Sequence, residues 1–242
     1  MVHPVQIRPV VLSVGDPGRC DTVAKLCEKS IEVKYNREYR LCNMTYEGTE
    51  ITVVSHGIGG PGAGIAFEEL IHLGAKVIIR CGTCGSLKPK AVNPGDLMVS
   101  NSCAREDGHS DWTVPQGYPA ASDPFLAVEL YKTAKKICEN VPNKVHCGIN
   151  LTSGCFYEGP VNKPYTTYAN HDVLTCDMEN SCLFALGSLR GIRTAAIGTI
   201  DGSPFTWDTE GYDPQGNIVS DGKKKMLQVG LKVCKKAMDE IN

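Results

Sequence analysis

Apolar runs alternate with amphipathic stretches along most of this chain. "PVVLSVG" (9–15) is a near-continuous apolar run closed by glycine, and it predicts a buried strand. "DPGRCDTVAKLCEK" (16–29) predicts a helix with Asp16 as N-cap and Pro17 in the first helical position. "YRLCNMTYEG" (39–48) and "TEITVVSHG" (49–57) read as paired strands with Glu47-Gly48 as the hairpin turn. Residues 61–74 have helical spacing and stop at Gly74. Further strands are predicted at 76–82, 95–103, 144–154, 173–178 and 193–201, and helices at 124–140, 179–191 and 220–242. Residues 104–123 are polar and rich in Gly, Pro and Asp, the composition of a loop.

No linker, low-complexity stretch or internal repeat interrupts this pattern. It predicts one α/β domain over residues 1–242, with a central, twisted, mixed β-sheet flanked by helices. In such sheets ligands gather at the C-terminal ends of strands. Gly15, Gly57, Arg80 and Asp201 all fall at expected strand ends, which points to a single site.

Composition narrows the function classes. The 242 residues are 42% hydrophobic and 21% charged, an ordinary globular mix. A net charge of −2 gives no basis for non-specific binding to nucleic acid or anionic membrane. No apolar run reaches the roughly 18 residues of a membrane span, and the N-terminus has no signal-peptide pattern. Twelve cysteines fall mostly inside apolar stretches, as small buried side chains do in a reducing, cytoplasmic setting. Cys81 and Cys84 form a C-x-x-C, but no second pair stands at zinc-ligand spacing, so they read as packing residues and no metal site is expected.

The polar residues at the strand ends carry the chemistry. "VGDPGR" puts Gly15 at a strand end and Arg19 in the first helical turn, either a tight turn with a surface arginine or part of an anion site. "RCGTCGS" adds Arg80 and the Thr83 hydroxyl. Two arginines, a hydroxyl and glycine-freed amides suit a dianionic phosphate. No G-x-x-x-x-G-K-[ST] occurs, so free phosphate or a monoester fits better than a nucleoside triphosphate. Glu179 in "CDMEN" reads as a first-turn glutamate or as an acceptor for a sugar diol. Asp201 in "TIDGSPFTWD" reads as a turn residue, or as a carboxyl that holds its proton beside Phe205 and Trp207 and acts as a general acid.

Taken together, "VVLSVGDPGR", "YNREYR", "SHGIGGPGAGIAFEEL", "GAKVIIRCGTCGSL", "DMEN" and "DGSPFTWD" resemble the nucleoside phosphorylase family over nearly the whole chain. The resemblance is to the small-subunit, hexameric branch and is strongest to its parasite-type purine enzymes. It implies phosphorolysis of purine nucleosides such as inosine and guanosine, with inorganic phosphate as co-substrate and no metal or organic cofactor. Gly15, Arg19, Arg80 and Thr83 match phosphate-binding positions, and Arg37 an arginine lent to a neighbouring subunit's phosphate. Met178 and Glu179 match the ribose contacts. His3 stands where a neighbour's ribose 5′-hydroxyl would be met. Phe156 matches the base-stacking aromatic, Trp207 the pocket tryptophan and Asp201 the proton donor. A homo-oligomer follows, a hexamer built as a trimer of dimers, with no nucleic-acid or membrane partner.

Three rivals share the scaffold, and one of them, a non-catalytic nucleoside-binding or storage protein, is opposed by the intact Asp201, Glu179 and arginines. A purine nucleosidase would use water and leave Arg19, Arg37 and Arg80 without an anion to bind. By the resemblance, uridine phosphorylases read the uracil edge with a glutamine and an arginine in an inserted segment, and lack an aspartate at position 201. Here residues 157–177 contain neither glutamine nor arginine. Residues 202–222 also lack the arginine that bacterial purine enzymes place after the aspartate.

Overall fold

Val10–Val14, the first apolar run, is a strand buried at every position. The computed structural model describes residues 6–157, 160, 164–210 and 212–241. Among them the elements follow as β1 (Val10–Val14), α1 (Gly18–Ala24), β2 (Lys29–Asn36), β3 (Tyr39–Tyr46), β4 (Thr49–Ser55), α2 (Gly60–His72), β5 (Val77–Ser86) and β6 (Leu97–Glu106). Then come α3 (Gly108–Thr113), β7 (Ala120–Ala121), α4 (Pro124–Ile137), β8 (Val145–Ser153), α5 (Tyr165–Asn170), β9 (Thr175–Asp177), α6 (Asn180–Arg190), β10 (Arg193–Gly202), α7 (Trp207–Glu210) and α8 (Asn217–Ile241).

The sheet is mixed, as the sequence predicts. Strands β4, β1, β5 and β10 run parallel, and β2, β3 and β4 form an antiparallel wing. From β10 the order continues β6, β8, β9 and back to β5. Pairing of β10 with β5 therefore closes five strands into a ring, which the sequence reading does not anticipate.

Helices cover both faces, which is why the parallel strands are apolar throughout. Val10, Leu12, Val14, Val77, Ile79 and Cys81 pack with Leu130 of α4 and with Met226, Val229 and Val233 of α8. The intervening Val11 and Ile78 pack with Phe67 of α2 and Phe184 of α6. Strand parity thus assigns Cys81 to the α8 face and Arg80 to the opposite one. Burial pushes the Cys81 thiol up to about 12, as expected of a packing residue.

Several local expectations need correction. Helix α1 begins at Gly18, with Pro17 in the cap position and Asp16 Oδ1 accepting the Gly18 amide at 2.8 Å. It ends at Ala24, so Cys27 lies beyond it, and β2 takes up residues 29–36. Strand β2 is almost wholly exposed, yet Ile31, Val33 and Tyr35 alternate with polar residues at strand period, a signal the sequence reading missed; its pairing with β3 holds it. The segment 104–123 contains α3, capped by the Asp107 side chain, and β7. Cys147 on β8 is exposed rather than buried. The Glu47-Gly48 turn is as expected, with both residues at positive φ (45° and 76°). No helix among the described residues is long and apolar enough to cross a membrane.

Helix α8 approaches the sheet closely at Gly222. A Cβ there would lie 2.6 Å from the Gly95 carbonyl oxygen and 2.7 Å from Thr199 Cγ2. Because one neighbour is backbone, the helix itself must shift. Gly222→Ala should destabilise the fold by about 1–3 kcal/mol, read as a lower urea midpoint at unchanged slope; an unchanged midpoint would show that α8 is free to move outward.

Candidate active site

The parallel strands deliver their C-terminal ends to one cavity of about 550 Å³. Gly15, Arg19, Arg80, Thr83, Phe156, Met178, Glu179, Asp201 and Trp207 all line it. Arg37 does not. It sits at positive φ (56°) in the β2–β3 turn, exposed, while its neighbour Glu38 reaches the cavity wall. His3 lies outside the described residues. Phe205 is exposed and meets Tyr165 edge-on at 6.4 Å, so it is not part of the aromatic wall.

Arg80 is not past a strand end but in the middle of β5, opposite Ser13 of β1 and Ala196 of β10. Its side chain is 4% exposed and almost fully engaged. Nε donates to His56 Nε2 at 3.1 Å. Nη1 donates to Asp177 Oδ2 at 3.0 Å and Asn180 Oδ1 at 2.8 Å, and Nη2 donates to Glu179 Oε2. Four of the five N–H groups of a guanidinium are thereby used, leaving one for a ligand. Burial works against its charge, but Glu179 and Asp177 outweigh that and hold its pKa above the usual value. Burial and the adjacent Arg80 push His56 well below its usual pKa, so its neutral Nε2 can accept from Arg80.

The acidic partners differ in what they have left to offer. Asp177 accepts from Arg80 and the Asn180 amide on Oδ2, and from Asn150 (2.7 Å) and Thr152 (2.8 Å) on Oδ1. It is filled. Glu179 accepts the Gly59 amide on Oε1 at 2.6 Å and Arg80 on Oε2. Each of its oxygens therefore retains one lone pair for a ligand donor. Sequence reasoning missed His56, Asp177 and Asn180 because their link to Arg80 spans 24 to 100 residues.

Arg19 contrasts with Arg80. Among the described residues its side chain has no hydrogen bond or ion pair, and burial, then the charge of Arg80, lower its pKa. A cation in that position is stabilised by an added anion. Asp201 lies at the other functional end. In the ladder between β10 and β5, Ile200 pairs with Cys84 and Gly202 with Gly85, so Asp201 is the extra residue of a β-bulge. Bulges re-aim a side chain off the sheet. Burial pushes the Asp201 carboxyl up, while hydrogen bonds from Tyr212 and Thr83 oppose that shift. Phe156 stacks on Trp207 with ring centroids 4.8 Å apart and an interplanar angle of 15°, and Tyr212 tilts against Trp207 at 5.1 Å. The cavity thus joins a cationic end at Arg19, the Glu179 carboxylate, a buried carboxyl at Asp201 and a flat aromatic wall.

Sequence comparison gives the family. The chain belongs to the phosphorylase superfamily, whose family pattern it matches over residues 9–234. The purine nucleoside phosphorylase of Plasmodium vivax (strain Salvador I) is 38% identical over 230 residues, 95% of this chain and 91% of that one. The crystal structure of purine nucleoside phosphorylase from Toxoplasma gondii in complex with immucillin-H superposes with a TM-score of 0.92 at 41% identity, covering 97% of this chain and 93% of that one. The uridine phosphorylase of Vibrio fischeri ES114 superposes at 0.84 with 29% identity, over 96% of this chain and 93% of that one.

The two arginines should part company on mutation. Arg80→Ala strands the buried Glu179 and Asp177 without their cation, a change that costs about 3–5 kcal/mol. Thermal unfolding should report a large loss at pH 8 and a smaller one at pH 5, where protonation of Glu179 relieves the stranded charge. Arg19→Ala should leave the unfolding midpoint within a degree or two of wild type. Equal stability of both variants would contradict the network around Arg80.

Proposed function

We propose that this chain cleaves purine nucleosides by phosphorolysis, releasing the free base and ribose 1-phosphate. The observation that carries this reading is the presence in one cavity of Arg19, whose side chain has no hydrogen bond or ion pair among the described residues, and of the buried Asp201, whose carboxyl burial pushes up. A water-using nucleosidase has no use for the first, and a pyrimidine leaving group has no N7 to take a proton from the second. Membership of the superfamily and the likeness to the Plasmodium and Toxoplasma purine enzymes support the same reading.

In this mechanism Arg19, Thr83, the Gly15 backbone and the remaining Arg80 N–H hold phosphate. Glu179 accepts hydrogen bonds from the ribose diol, with Met178 against the sugar. Phe156 and Trp207 form the apolar wall for the base. A phosphate oxygen attacks the anomeric carbon as the glycosidic electron pair leaves with the base, through an oxocarbenium-like state. The anionic phosphate stabilises the developing positive charge. Protonated Asp201 delivers its proton to N7, so the base departs neutral. This chemistry calls for no metal or organic cofactor. It is placed in the reducing cytoplasm, where twelve free thiols persist. Assembly as a hexamer, a trimer of dimers, gives the exposed Arg37 a task that its own cavity does not, and brings His3 to a neighbour's ribose. Ile58 and Trp112, 81% and 95% exposed, supply apolar surface for such contacts.

Inosine or guanosine turnover should depend strictly on phosphate, and exceed uridine turnover in kcat/KM by at least ~100-fold. Turnover without phosphate would establish the nucleosidase instead, and equal efficiency on uridine and inosine would establish the pyrimidine enzyme.

Asp201→Asn should keep the fold and lose inosine turnover by about 10²–10⁴-fold. In the wild type, kcat should fall as pH rises through the elevated pKa of Asp201, because only the protonated carboxyl can act. A folded Asp201→Asn protein with near-normal inosine turnover would remove Asp201 from the chemistry.

A further inference from the structure

We propose that Tyr212 is a positioning residue for Asp201: its hydroxyl pins Oδ2, so that the transferable proton resides on Oδ1. The inference rests on the proton-donor role proposed for Asp201. The Tyr212 hydroxyl donates to Asp201 Oδ2 at 2.9 Å, across eleven residues of chain. Tyr212 stands past the short helix α7, and its ring is held by Trp207 (5.1 Å) and Phe156 (6.1 Å). The hydroxyl is thus aimed by the same aromatic wall that the base would meet.

A carboxylic acid can carry its proton on either oxygen, and only one placement is productive. An oxygen that already accepts an O–H is the poorer site for the proton. Tyr212 therefore weights the choice toward Oδ1; the Thr83 hydroxyl, which also bonds the carboxyl, can donate or accept and so does not by itself fix the proton. The step balances simply. The Oδ1–H bond breaks as N7–H forms, the glycosidic pair moves to the base, and the carboxylate left behind is already hydrogen-bonded by Tyr212. The phenol keeps its own proton throughout, since burial, then the nearby Asp201, raise its pKa.

The pH dependence has a definite sign. Asp201 faces the Thr83 hydroxyl and the Cys84 thiol from β5, Arg19 from α1, Lys223 from α8 and Tyr212 from its own segment. A donor to a carboxyl favours the ionised form. Removing the Tyr212 hydroxyl therefore raises the Asp201 pKa and moves the alkaline limb of kcat to higher pH, even as kcat at neutral pH falls. A residue that only packed the loop would move neither in that combination.

Tyr212→Phe keeps the ring and its aromatic contacts. With inosine, kcat should fall about tenfold with KM for phosphate little changed, and the alkaline limb should move up. With 7-methylguanosine, whose base is already cationic and leaves without a proton at N7, the loss should disappear. Replacing Tyr212 by 3-fluorotyrosine strengthens the donor at constant shape and should move the limb down, which tests the sign even if Tyr212→Phe fails to fold. An unmoved limb in both proteins, or equal losses on both nucleosides, overturns the role of Tyr212. Asp201→Asn run in parallel separates the readings: inosine turnover retained there refutes the proton-donor role itself, whereas turnover lost there with an unaffected Tyr212→Phe refutes only the positioning.

Discussion

The buried guanidinium of Arg80 is the interaction on which the site depends. It ties the middle of β5 to the end of β4 through His56, to β9 through Asp177, and to the start of α6 through Asn180 and Glu179. A buried charge is costly unless paired and hydrogen-bonded, and here geometry supplies both. The bonds are directional, so they fix where α6 begins relative to the sheet. The Glu179 carboxylate, which the proposed mechanism gives to the sugar, is consequently set in place by the same guanidinium that lines the cavity.

That arrangement divides labour between the arginines. Arg80 is held rigidly and offers a ligand chiefly its field and one N–H. Arg19 has no protein partner among the described residues and offers directional bonds. A site assembled from one fixed and one free cation avoids the full repulsion of two fixed ones. Arg80 offsets only one of the two carboxylates it binds, Asp177 and Glu179, so the attraction for an incoming anion falls chiefly to Arg19.

Much of this was legible in the sequence wherever the cause is local. Strands β1, β5 and β10 are buried on both faces and read as apolar runs, and the Glu47-Gly48 turn follows from two positive-φ residues. Gly15, Arg19, Glu179 and Asp201 stood out as polar residues punctuating apolar runs, and the cavity gathers them. Where the cause is distant the reading failed. An arginine inside a buried strand looks like a strand end unless its partners, 97 to 100 residues on, are known. Strand β2 is a miss of another kind: its alternation of Ile31, Val33 and Tyr35 with polar residues is local and readable. Ring closure through the β10–β5 pairing leaves no mark on periodicity, because a strand paired on two sides has the same alternation either way. Tyr212 lies in a polar stretch with no pattern, and its meaning comes entirely from the carboxyl it meets.

The two ends of the cavity are also linked electrostatically. Asp201 is raised by burial and pulled back by Tyr212, Thr83, Lys223 and Arg19. Of these, Arg19 is the one an anion would neutralise. If phosphate binds at Arg19 as proposed, the pull of Arg19 on Asp201 weakens, and the carboxyl holds its proton more firmly. Thermodynamic reciprocity requires the converse: a protonated Asp201 favours the bound anion, since one negative charge leaves its vicinity. On the proposed mechanism the acid is therefore in its working form most fully when the nucleophile is in place. An acid tuned this way would be less available in the absence of phosphate, when a proton delivered to the base could only promote attack by water. The fold achieves the coupling with a bulge in β10 and a helix start after β1, two neighbouring strands removed in the sheet only by β5.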